Sequence, residues 1–180
     1  MNRTILLDRD GVINFDIGYV NTVSKLKLLP QTKKAIQIFN ENNIDIHIIT
    51  NQSGINRGVY SIQEYKNVEN RLRNLLIPQF VNDIYYCPHL SEEKCECRKP
   101  KPFMILQAQK KWNFNLSHTF FVGDKISDID CAINANVNPI LVLTGYGKNT
   151  LKYIKNKKEY NNVLIFKNLY AVANWLIAMK

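Results

Sequence analysis

Short apolar, β-branched runs recur along the chain at 4–7, 44–50, 84–86, 119–122, 140–143 and 163–166. Runs of this length and composition predict buried strands. Between them, apolar positions return at helical spacing over 32–42, 62–76, 102–112, 126–134 and 169–179, which predicts helices with one face on a core. On 62–76 that face carries Tyr65, Val68, Leu72 and Leu75. Strands alternating with helices predict an α/β fold, a three-layer, Rossmann-like and mainly parallel sheet with helices on both faces. Pro30 and Pro102 stand where first helical turns would begin, and Ser61 with Glu64 three residues later has the form of a capping box. The pattern is weakest between Leu143 and Val163, where 152–158 reads as an exposed helix or loop. At 180 residues, with no internal repeat or long linker, the chain is expected to form a single domain over 1–180.

The predicted strand ends carry the polar residues that matter. The first run, Ile5-Leu6-Leu7, leads into Asp8-Arg9-Asp10-Gly11. In extended backbone, residues i and i+2 face the same way, so both carboxylates can reach one centre, and Gly11 lets the chain turn away. Thr50 and Asn51 end a second strand, and Gly123 and Asp124 end a third. Parallel neighbours would bring all three ends to one crevice. A carboxylate pair joined by Asp124 calls for a hard cation, and Mg²⁺ suits oxygen ligands and substrate phosphate. Asp128, one helical turn beyond Asp124, can brace such a site. Lys99 lies in Arg98-Lys99-Pro100-Lys101-Pro102, where prolines restrict the backbone around a cation.

Composition adds three constraints. Lys and Arg outnumber Asp and Glu by 24 to 15, a formal +9, compatible with an anionic partner of some kind. No apolar stretch approaches the length of a membrane span and the amino-terminal residues lack a signal-peptide layout, so a cytoplasmic protein without a membrane partner is expected. Of four cysteines, three fall within Cys87-Pro88-His89 and Cys95-Glu96-Cys97. Three thiolates and an imidazole form a closed tetrahedral set suited to structural Zn²⁺. The Glu/Lys-rich spacer offers no core in which these would be ordinary buried cysteines. Cys131, apart from them in a predicted helix, reads as a small buried hydrophobe.

Together, Asp8-x-Asp10-Gly11, strand-terminal Thr50, Lys99 and Gly123-Asp124-x-x-x-Asp128 resemble, in order and spacing, the four motifs of the haloacid dehalogenase-like phosphatases. The resemblance implies that Asp8 is a nucleophile forming an aspartyl-phosphate and that Asp10 is the acid and base. It implies further that Asp8, the backbone carbonyl of Asp10 and Asp124 hold catalytic Mg²⁺, and that Thr50, Arg98 and Lys99 complete the catalytic set. The zinc loop running into Cys97-Arg98-Lys99-Pro100, with the stretches 16–20, 51–58, 85–89 and 122–125, resembles the branch of this family that acts on heptose bisphosphates and histidinol phosphate. Over that branch, substrate contacts would fall on Asp8, Arg9, Asp10, Asp16, Ile17, Gly18, Tyr19, Thr50, Asn51, Gln52, Ser53, Arg98, Lys99 and Lys125. The resemblance runs to about residue 147; the spacer between His89 and Cys95 is shorter than in the branch.

A bisphosphate needs a second cation, and the planar fork of Arg98 can bind a second phosphate bidentately, where a histidinol amine would not welcome it. The expected substrate is therefore a small sugar bisphosphate, a heptose precursor of lipopolysaccharide or capsule, with histidinol phosphate as the rival. A zinc-loop protein binding nucleic acid, or a phosphatase of polynucleotide 3′ ends, is the distant alternative. No aromatic residues thread a basic stripe, so no nucleic-acid partner is expected. The segments after Gly11 and between Thr50 and Lys99 are too short for a large cap domain, and the branch implies a monomer.

Overall fold

The computed structural model describes residues 3–179. Six strands and six α-helices alternate: β1 (Thr4–Leu7), α1 (Thr32–Glu41), β2 (Asp45–Asn51), α2 (Ile62–Leu76), β3 (Asp83–Cys87), α3 (Phe103–Trp112), β4 (Phe120–Gly123), α4 (Ile126–Asn134), β5 (Asn138–Val142), α5 (Gly147–Ile154), β6 (Leu164–Phe166) and α6 (Leu169–Ala178). The sheet order is β3-β2-β1-β4-β5-β6, and every pairing is parallel. From central β1 the chain winds outward first through β2 and β3, then through β4 to β6. The order reverses at β1 and β4, and open α/β sheets place their crevice at the carboxyl ends of such strands. Leu7 is in register with Ile48 of β2 and Val122 of β4, so residues just beyond each of these positions emerge side by side.

Alternation along the strands builds the two faces. Ile5, Leu7, Ile46 and Ile48 point to one side and pack with Ala35, Ile36 and Phe39 of α1, Val68 and Leu72 of α2, and Val172 and Leu176 of α6. Leu6, Ile49 and Phe121 point to the other and pack with Met104, Ile105 and Ala108 of α3 and Cys131 and Ala132 of α4. A smaller cluster of Ile129, Leu141, Ile154 and Val163 seats α5. Full burial of each such aliphatic side chain stabilises the fold by about 1.5–3 kcal/mol.

The predicted elements are present with ends moved by one or two residues, and the Ser61–Glu64 capping box forms. Pro102 is the N-cap of α3; Pro30 precedes Gln31, whose left-handed φ of 65° turns the chain into α1. Helix α5 occupies what was read as an ambiguous stretch. Its first turn holds Gly147, Asn149 and Thr150, poor helix formers, and packing decides the outcome: a Cβ on Gly147 would lie 1.8 Å from the Val142 carbonyl oxygen. The segment after Gly11 contains only a short 3₁₀ turn, Val23–Lys25, before α1, so no cap covers the strand ends from that side. Among the described residues, no helix is long and apolar enough to cross a membrane.

Candidate active site

Asp8 stands one residue past β1, its N–H bonded to the Val122 carbonyl at 2.9 Å. The Lys99 ammonium reaches it from the far side of the crevice, with Nζ 2.8 Å from Asp8 Oδ1 and 2.9 Å from the Ile49 carbonyl oxygen. Asp128 Oδ1 lies 2.7 Å away as an ion-pair partner. Two hydrogen bonds and an ion pair thus hold the buried ammonium; burial works to lower its pKa, but the paired carboxylates outweigh burial and raise it. Asp128 Oδ2 also accepts the N–H groups of Asp124 and Lys125. Asp128 is a brace for Lys99 and the turn after β4, as its position one turn beyond Asp124 suggested.

Asp8, Asp124 and Asp128 each offer an oxygen within 4.8 Å of the others. Burial, helped by the neighbouring acids, pushes the Asp8 carboxyl up to about 6 and that of Asp124 up to about 8. Lys99 pairs with Asp8 and Asp128 but not with Asp124, and Asp124 Oδ1 has no hydrogen-bond partner. An all-oxygen set with surplus negative charge and an orphaned lone pair fits a hard divalent ion. The Asp10 carboxylate is not part of this cluster. It accepts from both Arg9 nitrogens Nε and Nη2, from Asn14 Nδ2 at 2.8 Å and from Gln52 Nε2 at 3.0 Å. Burial alone would raise its pKa, but Arg9 and these donors outweigh burial and lower it.

A cavity of about 190 Å³ opens above these groups, lined by Asp8, Asp10, Thr50, Gln52, Lys99 and Asp128, with Asp16, Tyr19, Ser53, Arg98 and Lys125 toward its mouth. Gly18 and Asn51 also line it, so twelve of the fourteen expected substrate contacts converge on it. Arg9 and Ile17 do not. Arg9 is 2% exposed, and its guanidinium is turned to Asp10 and to Gln52 Oε1. Ile17 faces solvent, half exposed. The rim is tied at two points: Lys125 Nζ to Asp16 Oδ2 at 2.7 Å, and Tyr19 edge-on to Tyr60 with centroids 6.2 Å apart.

Cys87, His89, Cys95 and Cys97, the residues expected to hold zinc, gather around one point. Their sulfurs lie 3.1–3.7 Å apart, and His89 Nδ1 lies 3.2 Å from Cys97 Sγ. A tetrahedral Zn–S site has S···S separations of about 3.8 Å; Cys95 stands close to that distance from both other sulfurs, Cys87 and Cys97 lie closer together, and the donor set is that of a zinc site. The loop delivers the next two residues to the crevice. Arg98 Nη1 donates to the His89 carbonyl at 3.0 Å, while the Asn51 side chain bonds both the N–H and the C=O of Lys99.

Three contributors escaped the sequence patterns. Tyr60 donates its hydroxyl to Gln52 Oε1 at 2.8 Å, orienting the amide that holds Asp10. Ser127 lines the cavity. The segment Thr144 to Thr150 contacts Asp124 and Gly11 directly. None carries a sequence signal that separates it from an ordinary loop or core residue.

The HAD-hydrolase-like family pattern matches residues 96–171. The chain is 40% identical to D-glycero-beta-D-manno-heptose-1,7-bisphosphate 7-phosphatase of Pseudomonas aeruginosa, over 98% of this chain and 99% of the relative. It is 32% identical to D-glycero-alpha-D-manno-heptose-1,7-bisphosphate 7-phosphatase of Campylobacter jejuni, over 96% and 95%. The structure is also similar to the crystal structure of D,D-heptose 1.7-bisphosphate phosphatase from B. bronchiseptica complexed with magnesium and phosphate. That similarity has a TM-score of 0.93 at 30% identity and covers 99% of both chains.

Proposed function

Because the chain belongs to the haloacid dehalogenase-like hydrolases, and among them to the heptose 1,7-bisphosphate 7-phosphatases, we propose that it is a phosphoric monoester hydrolase that removes the 7-phosphate of D-glycero-D-manno-heptose 1,7-bisphosphate. The observation that carries this proposal is the convergence of Asp8, Asp10, Thr50 and Lys99 on one cavity with Arg98 at its mouth.

In the proposed mechanism the free oxygen of Asp8 attacks phosphorus, the bond from phosphorus to the sugar C7 oxygen breaks, and an acyl phosphate forms. Lys99 holds the other oxygen and fixes the line of attack. Asp10 exchanges its Gln52 contact for the leaving oxygen and gives it the proton that Asp10 took from the attacking water at the end of the preceding turnover. It then takes a proton from the water that attacks phosphorus, and cleavage of the bond to Asp8 releases phosphate. Its carboxylate is held as an anion between Arg9, Asn14 and Gln52 in this structure, the form needed for the second half of the cycle. Thr50 and Lys99 meet the equatorial oxygens, where phosphoryl transfer is stabilised mostly by position and charge. Asp8, the Asp10 carbonyl and Asp124 would hold Mg²⁺, which when bound offsets the charge of the phosphoryl group. Zn²⁺ on Cys87, His89, Cys95 and Cys97 would be structural.

Arg98 and Lys125 give the mouth two cations, which favour a second phosphate and oppose the ammonium of histidinol. The test is phosphate release across both heptose bisphosphate anomers, histidinol phosphate and a 3′-phosphorylated oligonucleotide, for the native chain and Asp8→Asn. Heptose bisphosphate is expected to show the highest kcat/KM and to lose its 7-phosphate, with Asp8→Asn slower by on the order of 10⁴-fold or more. A higher kcat/KM on histidinol phosphate would overturn the substrate, and near-native turnover by Asp8→Asn would overturn the nucleophile.

A further inference from the structure

Asp124 is fully buried, and its surroundings come largely from the segment after β5. The N–H of Tyr146 donates to Asp124 Oδ2 at 2.7 Å, and the Thr150 hydroxyl donates to the Asp124 backbone carbonyl at 2.7 Å. The Thr144 hydroxyl crosses to β1 and donates to the Gly11 carbonyl at 2.6 Å. Gly145 makes this approach possible: at its φ of +51° a Cβ would lie 2.1 Å from Asp124 Oδ2 and 2.8 Å from the Gly11 Cα. One oxygen of Asp124 is therefore engaged and its backbone fixed, while Oδ1 remains buried without a partner, in a carboxylate that brings an oxygen within 4.8 Å of oxygens of Asp8 and Asp128.

The two strand ends joined by these bonds carry different parts of the same ligand set. Thr144 holds the turn that follows Asp8 and Asp10, and Thr150 holds Asp124 itself. Mg²⁺ demands near-ideal octahedral geometry at about 2.0–2.1 Å, whereas Ca²⁺ tolerates about 2.3–2.6 Å and irregular coordination. A device that sets the separation of β1 and β4 and selects one carboxylate oxygen acts on the smaller ion above all.

We propose that Thr144, Gly145, Tyr146 and Thr150 form a clasp that presents Asp124 Oδ1 toward Asp8 and thereby tunes the site for Mg²⁺ over larger divalent ions, with Thr144 and Thr150 as positioning residues. This rests on the proposed role of Asp124 as a Mg²⁺ ligand. Groups that orient metal ligands typically change affinity or activity by about 10–100-fold when removed.

The test is calorimetric titration of the zinc-loaded protein with Mg²⁺ alone and with Ca²⁺ alone, for the native chain, Thr150→Val and Thr150→Ser. Thr150→Val is expected to weaken Mg²⁺ binding by about 10-fold or more, following that range, and Ca²⁺ binding by much less. Thr150→Ser should retain native Mg²⁺ affinity because it keeps the hydroxyl. At saturating Mg²⁺ the kcat of Thr150→Val should return toward native with an unchanged KM for the sugar bisphosphate. Native Mg²⁺ affinity in Thr150→Val, even with a lowered Tm, would overturn the clasp alone. A native chain that binds no Mg²⁺ would overturn the metal assignment and the clasp with it. If Thr150→Val does not fold, Thr144→Val, which acts from the Gly11 side, carries the same expectation and the same refutation.

Discussion

A buried charge survives only with its partners, and the molecule contains both answered and unanswered cases. Lys99 meets Asp8, Asp128 and the Ile49 carbonyl at once, so removing the ammonium would strand two carboxylates; breaking such a pair typically costs about 3–5 kcal/mol. His47 is the opposite case. It is fully buried in β2, stacked against Phe114 and tilted against Trp112, and neither ring nitrogen has a partner. Burial pushes its pKa down from 6.5 to about 4, although nearby Asp45 and Asp83 act the other way. The folded chain thus holds the neutral ring where the unfolded chain would bind a proton. Its contribution is fully present above about pH 6.5 and is lost as pH falls from there toward 4, by about 3 kcal/mol in all. His47→Leu should therefore lose less stability than the native chain over that interval in denaturant melts; parallel acid limbs would refute the assignment.

At the scale of elements, one loop joins the cluster of Cys87, His89, Cys95 and Cys97 to the crevice. Cys97 is followed directly by Arg98 and Lys99, and Asn51 pins Lys99 to the end of β2. With few apolar residues in 88–96, the loop depends on its donor set for order. Cys95→Ser should lose bound zinc, lower the Tm and reduce kcat through displaced Lys99, with zinc content and Tm changing together; full zinc content in the variant would refute the ligand set. This loop was legible because thiolates two residues apart in a polar segment have few other uses. The strands and five of the helices were legible through their periodicity, and the crevice through the acids and hydroxyl at strand ends. Helix α5 was not, since Gly147 sits there for its close approach to the Val142 carbonyl and Thr150 for a bond to Asp124, 26 residues earlier. Arg9, expected among the substrate contacts from the resemblance alone, is buried beside Asp10 by packing that its sequence position does not show. Gln52 and Tyr60 could not be paired from sequence, because their contact depends on how the loop after β2 folds back.

Taken as a whole, the molecule is a cation, formally +9, with a carboxylate cluster at its centre. The surplus positive charge lies mostly outside the crevice, where it attracts a multiply charged anion over a distance set by ionic strength. Raising salt from about 20 to about 200 mM shortens the screening length roughly three-fold, so kcat/KM for the bisphosphate should fall while kcat stays nearly constant. A kcat/KM indifferent to salt would show that capture depends on the mouth alone. The parallel sheet also divides labour. Side chains fixed by β1, β2 and β4 would handle phosphorus together with Lys99, whereas the rim at 16–19 hangs beyond those strands. Mutations that remodel the rim can accumulate without disturbing the core beneath it. Such a scaffold lets natural selection explore new sugars while inheriting its reaction unchanged.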